Sequence, residues 1–272
     1  LEYNLAMRVV IAGGLGFIGR PLCRALFNET GHEVFVLSRD DPRAAVAYSR
    51  VIHWDGRNPG AWQDALEGAH ALINLCGANV AQGRWTEKRK RLLRDSRLMP
   101  TRALVSALAA AKNGPRVFIS ASAVGYYGDR GNETLDEKSG PGADFLARLC
   151  VDWETEALRA PAGVRTVLLR TGIVLDSGGG ALAKMLLPFR FGLGGPIGSG
   201  RQWMPWISRE DVVGLISHLL SHEAAGPINV TAPEPATNEE FSIALARAML
   251  KTNVRVLKAS NEMLGDVLDL LA

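Results

Sequence analysis

Apolar positions in the first half of the chain fall into short, dense, β-branched runs separated by amphipathic stretches. Val9-Val10-Ile11 is the first run; a helical spacing follows in Ile18, Leu22, Ala25 and Leu26 and stops at Gly31. A second run covers residues 34–37, so strand, turn, helix and strand succeed one another over the length of a βαβ unit. The alternation continues with strands over 51–54, 71–75, 117–119 and 164–169. Between them lie a short helix at 62–66, a long helical region over 84–112 interrupted or bent at Pro100, and a helix over 143–159. Continuous apolar runs mark strands covered on both faces. The pattern predicts an α/β fold, a doubly wound parallel sheet over residues 7–174. Beyond that point, glycine clusters punctuate an aromatic stretch with Phe189, Phe191, Trp203 and Trp206. Residues 175–272 read as a smaller C-terminal lobe covering a substrate. Its parts are a helix over 210–220, a strand over 228–230 and a helix after Thr237-Asn238-Glu239-Glu240.

The turn after the first strand carries the first candidate chemistry. Its glycines fit Gly14-x-Gly16-x-x-Gly19 and also Gly13-x-x-Gly16-x-x-Gly19. A dinucleotide needs glycines there for a sharp turn, for close approach of a pyrophosphate, and for tight helix–strand packing at a helix N-terminus. The candidate turn is therefore Gly13, Gly14, Gly16, Phe17, Ile18 and Gly19. The second strand runs into Ser38-Arg39, where an NAD protein usually carries an acidic residue for the ribose hydroxyl. A hydroxyl and a planar guanidinium suit a 2′-phosphate, so NADP (NADPH) is favoured over NAD. Asp40 and Asp41 compete if the strand ends later, and Arg20 adds positive charge. Asp55 meets an adenine amino group or simply forms a turn before Gly56. Asn74-Leu75-Cys76-Gly77 and Ser120, at later strand ends, fall where open α/β sheets bind ligands. Ser122, Tyr126 and Tyr127 are the candidates for carbonyl chemistry.

Composition narrows the picture. The 47% hydrophobic and 22% charged content is that of a globular enzyme, and a net charge of +3 does not argue for nucleic acid. Arg84, Lys88, Arg89, Lys90, Arg91 and Arg94 read as a solvated helix face, with only Trp85 as a stacking aromatic; Arg97 stands apart as a cofactor contact or its support. Cys23, Cys76 and Cys150 are dispersed, which suits reduced core thiols. His218 and His222 lack a third ligand nearby, so no metal is expected. No apolar run is long enough for a bilayer. LEYNLA, before Met7, resembles a leader remnant rather than a secretory signal, which places the protein in the cytoplasm or an organelle matrix.

GGLGFIG, NLCG, SASAVGYYG and RTGIVL together resemble the extended short-chain dehydrogenases/reductases. HEVFVLSR, SRLMPTRAL, DFLARLCVDWE and MLLPFRFGLGGPIGSGRQWMPWISREDV narrow the likeness, from about Met7 to Leu250, to the atypical NAD(P)-dependent epimerase-like, or cell-division-inhibitor, group. The resemblance implies a Rossmann fold, NADP binding, and cofactor contacts at the glycine turn, Ser38-Arg39, Leu75-Cys76, Arg97 and Val174. It also implies a chain continuing past the last helix, which Lys258 to Ala272 does not match well.

The superfamily's chemistry uses a serine and a Tyr-x-x-x-Lys pair on one helix face, the tyrosine exchanging a proton with the substrate oxygen. That pair is missing here: Phe145-Leu146-Ala147-Arg148-Leu149-Cys150 occupies the helix. Tyr126 or Tyr127 is the substitute, with Arg130 or Lys138 as its cation and Ser120 or Ser122 polarising a carbonyl. Three functions follow: an NADP-dependent oxidoreductase on a small carbonyl or alcohol, a non-catalytic NADP-binding regulator, and a nucleotide-sugar epimerase.

Overall fold

The computed structural model describes residues 6–28, 31–39, 49–176, 178–191 and 193–249. The chain forms two compact units, one from the chain up to Gly172 together with Ile207–Thr231, the other from Ile173–Trp206 and the chain from Ala232. In chain order the first unit contains β1 (Arg8–Ala12), α1 (Gly19–Asn28), β2 (Glu33–Ser38), β3 (Arg50–His53), β4 (Ala71–Asn74), α2 (Glu87–Ala110), β5 (Val117–Ala123), α3 (Phe145–Ala157) and β6 (Arg165–Thr171). The second begins with β7 (Ile173–Asp176), α4 (Gly180–Arg190) and β8 (Trp203–Met204); β9 (Trp206–Ser208) lies at the boundary. The chain then re-enters the first unit as α5 (Arg209–Leu219) and β10 (Gly226–Val230), and the second unit resumes with β11 (Ala236–Thr237) and a helix over 238–249.

Seven strands make the central sheet in the order β10-β6-β5-β4-β1-β2-β3, every neighbouring pair parallel. This is the Rossmann-type, doubly wound sheet that the apolar runs predict. Val9, Val10, Ile11 and Ala12 are all fully buried, as a strand covered on both faces requires. In α1 the buried positions Gly19, Leu22, Cys23 and Leu26 form one stripe, and α1 packs beside α5. On the other side, Leu104, Val105 and Leu108 of α2 join Val10, Leu72, Phe118 and Leu168 in one cluster.

Three elements differ from the sequence reading. The 210–220 helix and the 228–230 strand, placed above in the C-terminal lobe, belong to the first unit. β10 pairs with β6 from Gly226↔Val167 to Val230↔Thr171 and supplies the sheet's seventh strand. Arg165 pins the crossover by donating to Leu219 O and Ala224 O at 2.8 Å each. Of the two readings at Pro100, interruption does not occur, because the long helix is continuous through it: the proline forfeits one backbone donor, while Leu98, Thr101 and Leu104 around it are buried and hold the helix to its neighbours. In the second unit, residues 180–190 are helical, an element hidden by the flanking glycines. There Thr237 and Glu240 make a reciprocal capping box at the start of the 238–249 helix.

His32 gives the first unit a measurable pH dependence. It is 2% exposed, its Nδ1 accepts the Met7 N–H at 3.3 Å, and burial, followed by the nearby His70 charge, lowers its pKa from 6.5. The unfolded chain therefore binds the proton first as pH falls. The contribution is complete above pH 6.5 and declines below it, by at most about 1.4 kcal/mol per pH unit. Urea unfolding at pH 7.5 and 5.5 should show that loss in the wild type and a smaller one in His32→Asn.

Candidate functional site

The glycine turn between β1 and α1 is built by close backbone contacts. Gly13 adopts φ +81°, and a Cβ there would come within 2.9 Å of the Leu75 backbone. Gly14 packs against the Val36 side chain of β2, and a Cβ on Gly19 would lie 2.4 Å from Gly13 O. Gly16 is different: it is exposed, its N–H donates to Gly13 O, and only that oxygen, at 3.1 Å, would meet an added Cβ. The Phe17 ring lies under the Arg209 guanidinium, its centroid 4.9 Å away, and Ile18 O accepts from Leu22 N at the start of α1. Arg20 turns back to donate to Leu15 O rather than standing free.

A cavity of about 620 Å³ opens at the C-terminal ends of β1, β2, β3 and β4. Gly13, Gly16, Ser38, Arg39, Asp55, Leu75, Cys76 and Gly77 all line it, so the structure brings together sequence candidates spread over more than sixty residues. Arg57 and Arg89 add cations that sequence reading did not single out. Arg89 bonds Asn79 O, while its buried Nε has no partner among the described residues. Asp40 and Asp41 lie outside the described residues. Asp55 accepts from the Arg57 and Asn58 backbone N–H groups at 2.8 and 2.9 Å, the turn-forming arrangement, and these bonds hold its carboxyl below the usual range. Burial pushes the Cys76 thiol up to about 12, against the opposing charge of Arg39, so this thiol is not a nucleophile at neutral pH.

Asn74 and Arg97 act behind the cavity wall. Asn74 is fully buried; its amide donates to Thr101 Oγ1 at 2.8 Å and to Ser120 Oγ at 3.4 Å, and its carbonyl oxygen accepts the Cys76 N–H. Arg97 donates to Leu93 O and Ala78 O and lies over the Trp153 ring at 5.2 Å. Both fix the Leu75–Ala78 loop. Val174 lies in β7 of the second unit. Also in that unit, Trp206 donates to Glu234 O.

The remaining candidates meet in a polar network at the C-terminal ends of β5 and β6. Arg170 and Glu154, 3% and 6% exposed, form a bidentate pair with both N···O distances at 2.9 Å. Ser122 donates to Glu154 Oε1 at 2.6 Å. Arg170 Nη1 donates to Tyr127 Oη at 3.0 Å and to Glu137 O, and Tyr127 Oη donates to Asn229 Oδ1 at 2.6 Å. Glu137 Oε1 accepts the Asn229 N–H at 2.8 Å, tying the loop before α3 to β10. Tyr126 stands apart: half-buried, its ring faces Arg170 at 3.5 Å and meets Tyr127 edge-on at 5.3 Å, and its hydroxyl makes no hydrogen bond among the described residues. Arg130, a candidate partner for these tyrosines, pairs with Glu133 instead. Glu154, Arg170 and Asn229 escape the sequence reading. Arg170 alone leaves a signal, a charge ending the apolar run Val167-Leu168-Leu169 inside a strand, which demands a buried partner.

α3 presents Leu146 and Cys150, one helical turn apart, toward Gly125 just beyond β5, so no Tyr–Lys pair faces this end of the sheet. Burial drives the Cys150 thiol up to about 11. The rings of His218 and His222 lie 4.8 Å apart, and no three His, Cys, Asp or Glu side chains among the described residues gather as metal ligands.

With this geometry in place, comparison with known proteins is decisive. A model of the NAD dependent epimerase/dehydratase family matches residues 9–244. The chain belongs to this family. Within it, an epimerase family protein of Mycobacterium leprae, ML0860, is 44% identical over 243 residues, 89% of this chain and 77% of the relative. The crystal structure of human epimerase family protein SDR39U1 (isoform 2) with NADPH superposes with a TM-score of 0.76 at 38% identity, covering 88% of this chain and 80% of that one. A Corynebacterium glutamicum protein described as a nucleoside-diphosphate sugar epimerase gives 0.76 at 36% identity, over 89% of this chain and half of that one. Family membership accounts for the parallel sheet and for the glycine turn between β1 and α1.

Proposed function

We propose that this chain binds NADPH in the 620 Å³ cavity and is an oxidoreductase acting on a small carbonyl or alcohol. The observation that carries the reading is the cavity's lining: an exposed Gly16 on the turn before α1 at one side and Ser38-Arg39 at the end of β2 at the other. The first offers backbone N–H groups to a pyrophosphate, and the second offers a hydroxyl and a guanidinium to a 2′-phosphate. The unpartnered Arg89 Nε fits an anionic occupant. The NADPH carried by human SDR39U1 supports the same choice. In this reading the turn meets the pyrophosphate at Gly13 and Gly16, which line the cavity, while Gly14 and Gly19 give the turn its shape and Phe17 and Ile18 lead into α1; Leu75, Cys76 and Gly77 line the ribose side, with Asn74 and Arg97 fixing their loop. The cofactor, when bound, supplies a hydride. Among the described residues no helix is long and apolar enough to cross a membrane.

Fluorescence titration with NADPH and NADH, on the wild type and on Arg39→Ala, tests the cofactor reading. The wild type should bind NADPH more tightly. Arg39→Ala should lose NADPH affinity by roughly 10- to 100-fold, the worth of a hydrogen bond to a charged group, and leave NADH affinity within about twofold. Equal affinities, unmoved by the substitution, would overturn it. The likeness to the Corynebacterium protein favours a second reading, nucleotide-sugar epimerisation. Binding of a nucleoside-diphosphate sugar, with interconversion and no net NADPH consumption, would establish that one.

A further inference from the structure

We infer that Tyr126 is the group that gives and takes the substrate proton, replacing the tyrosine of the missing Tyr-x-x-x-Lys pair. This inference rests on the oxidoreductase reading above. Two of the three candidate hydroxyls are already committed. Ser122 spends its hydrogen on Glu154 at 2.6 Å, and Tyr127 spends its own on Asn229 at 2.6 Å while accepting from Arg170 at 3.0 Å. Both are buried. Tyr126 is held by its ring alone. The face is clamped on the Arg170 guanidinium at 3.5 Å, the edge rests on Tyr127, and the hydroxyl is left over. A side chain positioned without using its functional group is what a proton-transfer residue requires.

Placement agrees. The cavity crosses the C-terminal ends of β2, β1 and β4, which are consecutive in the sheet; β5 is the next strand, and Tyr126 lies in the turn over Val124–Tyr127 that follows it. From the end of β2 to the end of β5 is three strand spacings, roughly 14 Å, within reach of a dinucleotide whose ribose phosphate meets Arg39. Arg170 supplies a fixed cation at the ring, cannot lose its own proton, and is itself held by Glu154, Tyr127 and Glu137 O. It is a positioning residue, oriented so that its charge meets the negative charge that develops on the phenol.

The step balances as follows. The carbonyl carbon gains a hydride from the bound nicotinamide, the C=O π pair moves to oxygen, and that oxygen takes the Tyr126 proton. The products are an alcohol, NADP⁺ and a phenolate, which regains a proton from water. The oxidation runs the same path in reverse.

The test uses the full chain with NADPH and a panel of aromatic and aliphatic aldehydes and 1,2-diketones. Tyr126→Phe should lower turnover 10²- to 10⁴-fold, the usual share of general acid catalysis, with NADPH affinity and melting temperature unchanged. The alkaline limb of the wild-type pH–rate profile should vanish with it. Tyr127→Phe should lower the melting temperature and keep that limb. Independently of turnover, N-acetylimidazole should acylate Tyr126 and spare Tyr127, as mapped by peptide mass spectrometry. Failure of the wild type to bind NADPH overturns the cofactor reading and this inference together. NADPH binding without turnover of any panel member overturns the oxidoreductase reading and the inference with it, while full turnover by Tyr126→Phe, or acylation confined to Tyr127, overturns the inference alone.

Discussion

Glu154→Ala is expected to destabilise the protein by about 3–5 kcal/mol, the cost of stranding a buried charge. In the wild type, both Glu154 oxygens are bonded to Arg170 at 2.9 Å, and one also receives the Ser122 hydroxyl. Removing the carboxylate leaves Arg170, 3% exposed and unable to discharge itself, without its counter-ion, and leaves Ser122 without its acceptor. The lost bonds join α3 to the ends of β5 and β6, so the damage falls in the buried interior rather than on a surface. Thermal unfolding should shift down by on the order of 10 °C for a chain of this size. The double variant Glu154→Leu/Arg170→Met separates the two causes. If the penalty comes from an unpaired charge, apolar replacement of both partners recovers much of the loss, and the cycle shows a coupling of several kcal/mol. A single-variant cost under about 1 kcal/mol would place this pair with exposed ion pairs and remove it as the anchor of the site.

That network also marks where sequence stops being informative. The β1–α1–β2 unit is legible because local patterns agree: a β-branched run, glycines at fixed offsets and an apolar stripe at Leu22 and Leu26. The ends of β2 and β4 follow from the same logic, so the strand-end part of the cavity's lining is readable before any coordinate, whereas the wall that α2 supplies at Arg89, Leu92, Asp95 and Ser96 is not. The Glu154–Arg170 pair joins two consecutive elements, α3 and β6, but its meeting depends on how the helix packs on the sheet, and neither residue's neighbours announce the other. The two adjacent tyrosines are likewise equivalent in sequence; only the turn over Val124–Tyr127 directs one hydroxyl to Asn229 and leaves the other unbonded. α5 and β10 read as part of the lobe because the chain leaves the sheet after β6 and returns only at Ile207. A short strand such as Ile228-Asn229-Val230 carries no mark of which sheet it will join. Periodicity records burial, not topology.

Gly19→Ala and Gly16→Ala should part company, and the difference decides whether the glycine turn is architecture or a ligand site. At Gly19 the new methyl would sit 2.4 Å from Gly13 O and 2.6 Å from the Gly14 backbone. Those atoms cannot step aside, because Gly13 is itself held at φ +81° against the Leu75 backbone and Gly14 against Val36. α1 must move away from the sheet, at a cost of about 1–3 kcal/mol for overpacking, and the turn moves with it. Melting temperature and NADPH affinity should both fall. At Gly16 the methyl meets only Gly13 O at 3.1 Å, a contact that a few tenths of an ångström relieve, and the position lines the cavity. Its melting temperature should stay near that of the wild type, while NADPH affinity drops roughly tenfold or more, because the methyl occupies the space where a phosphate would meet the backbone N–H groups. Differential scanning fluorimetry paired with NADPH titration measures both quantities on one sample. If Gly16→Ala binds NADPH as the wild type does, the pyrophosphate does not approach this turn, and the cavity serves some other ligand.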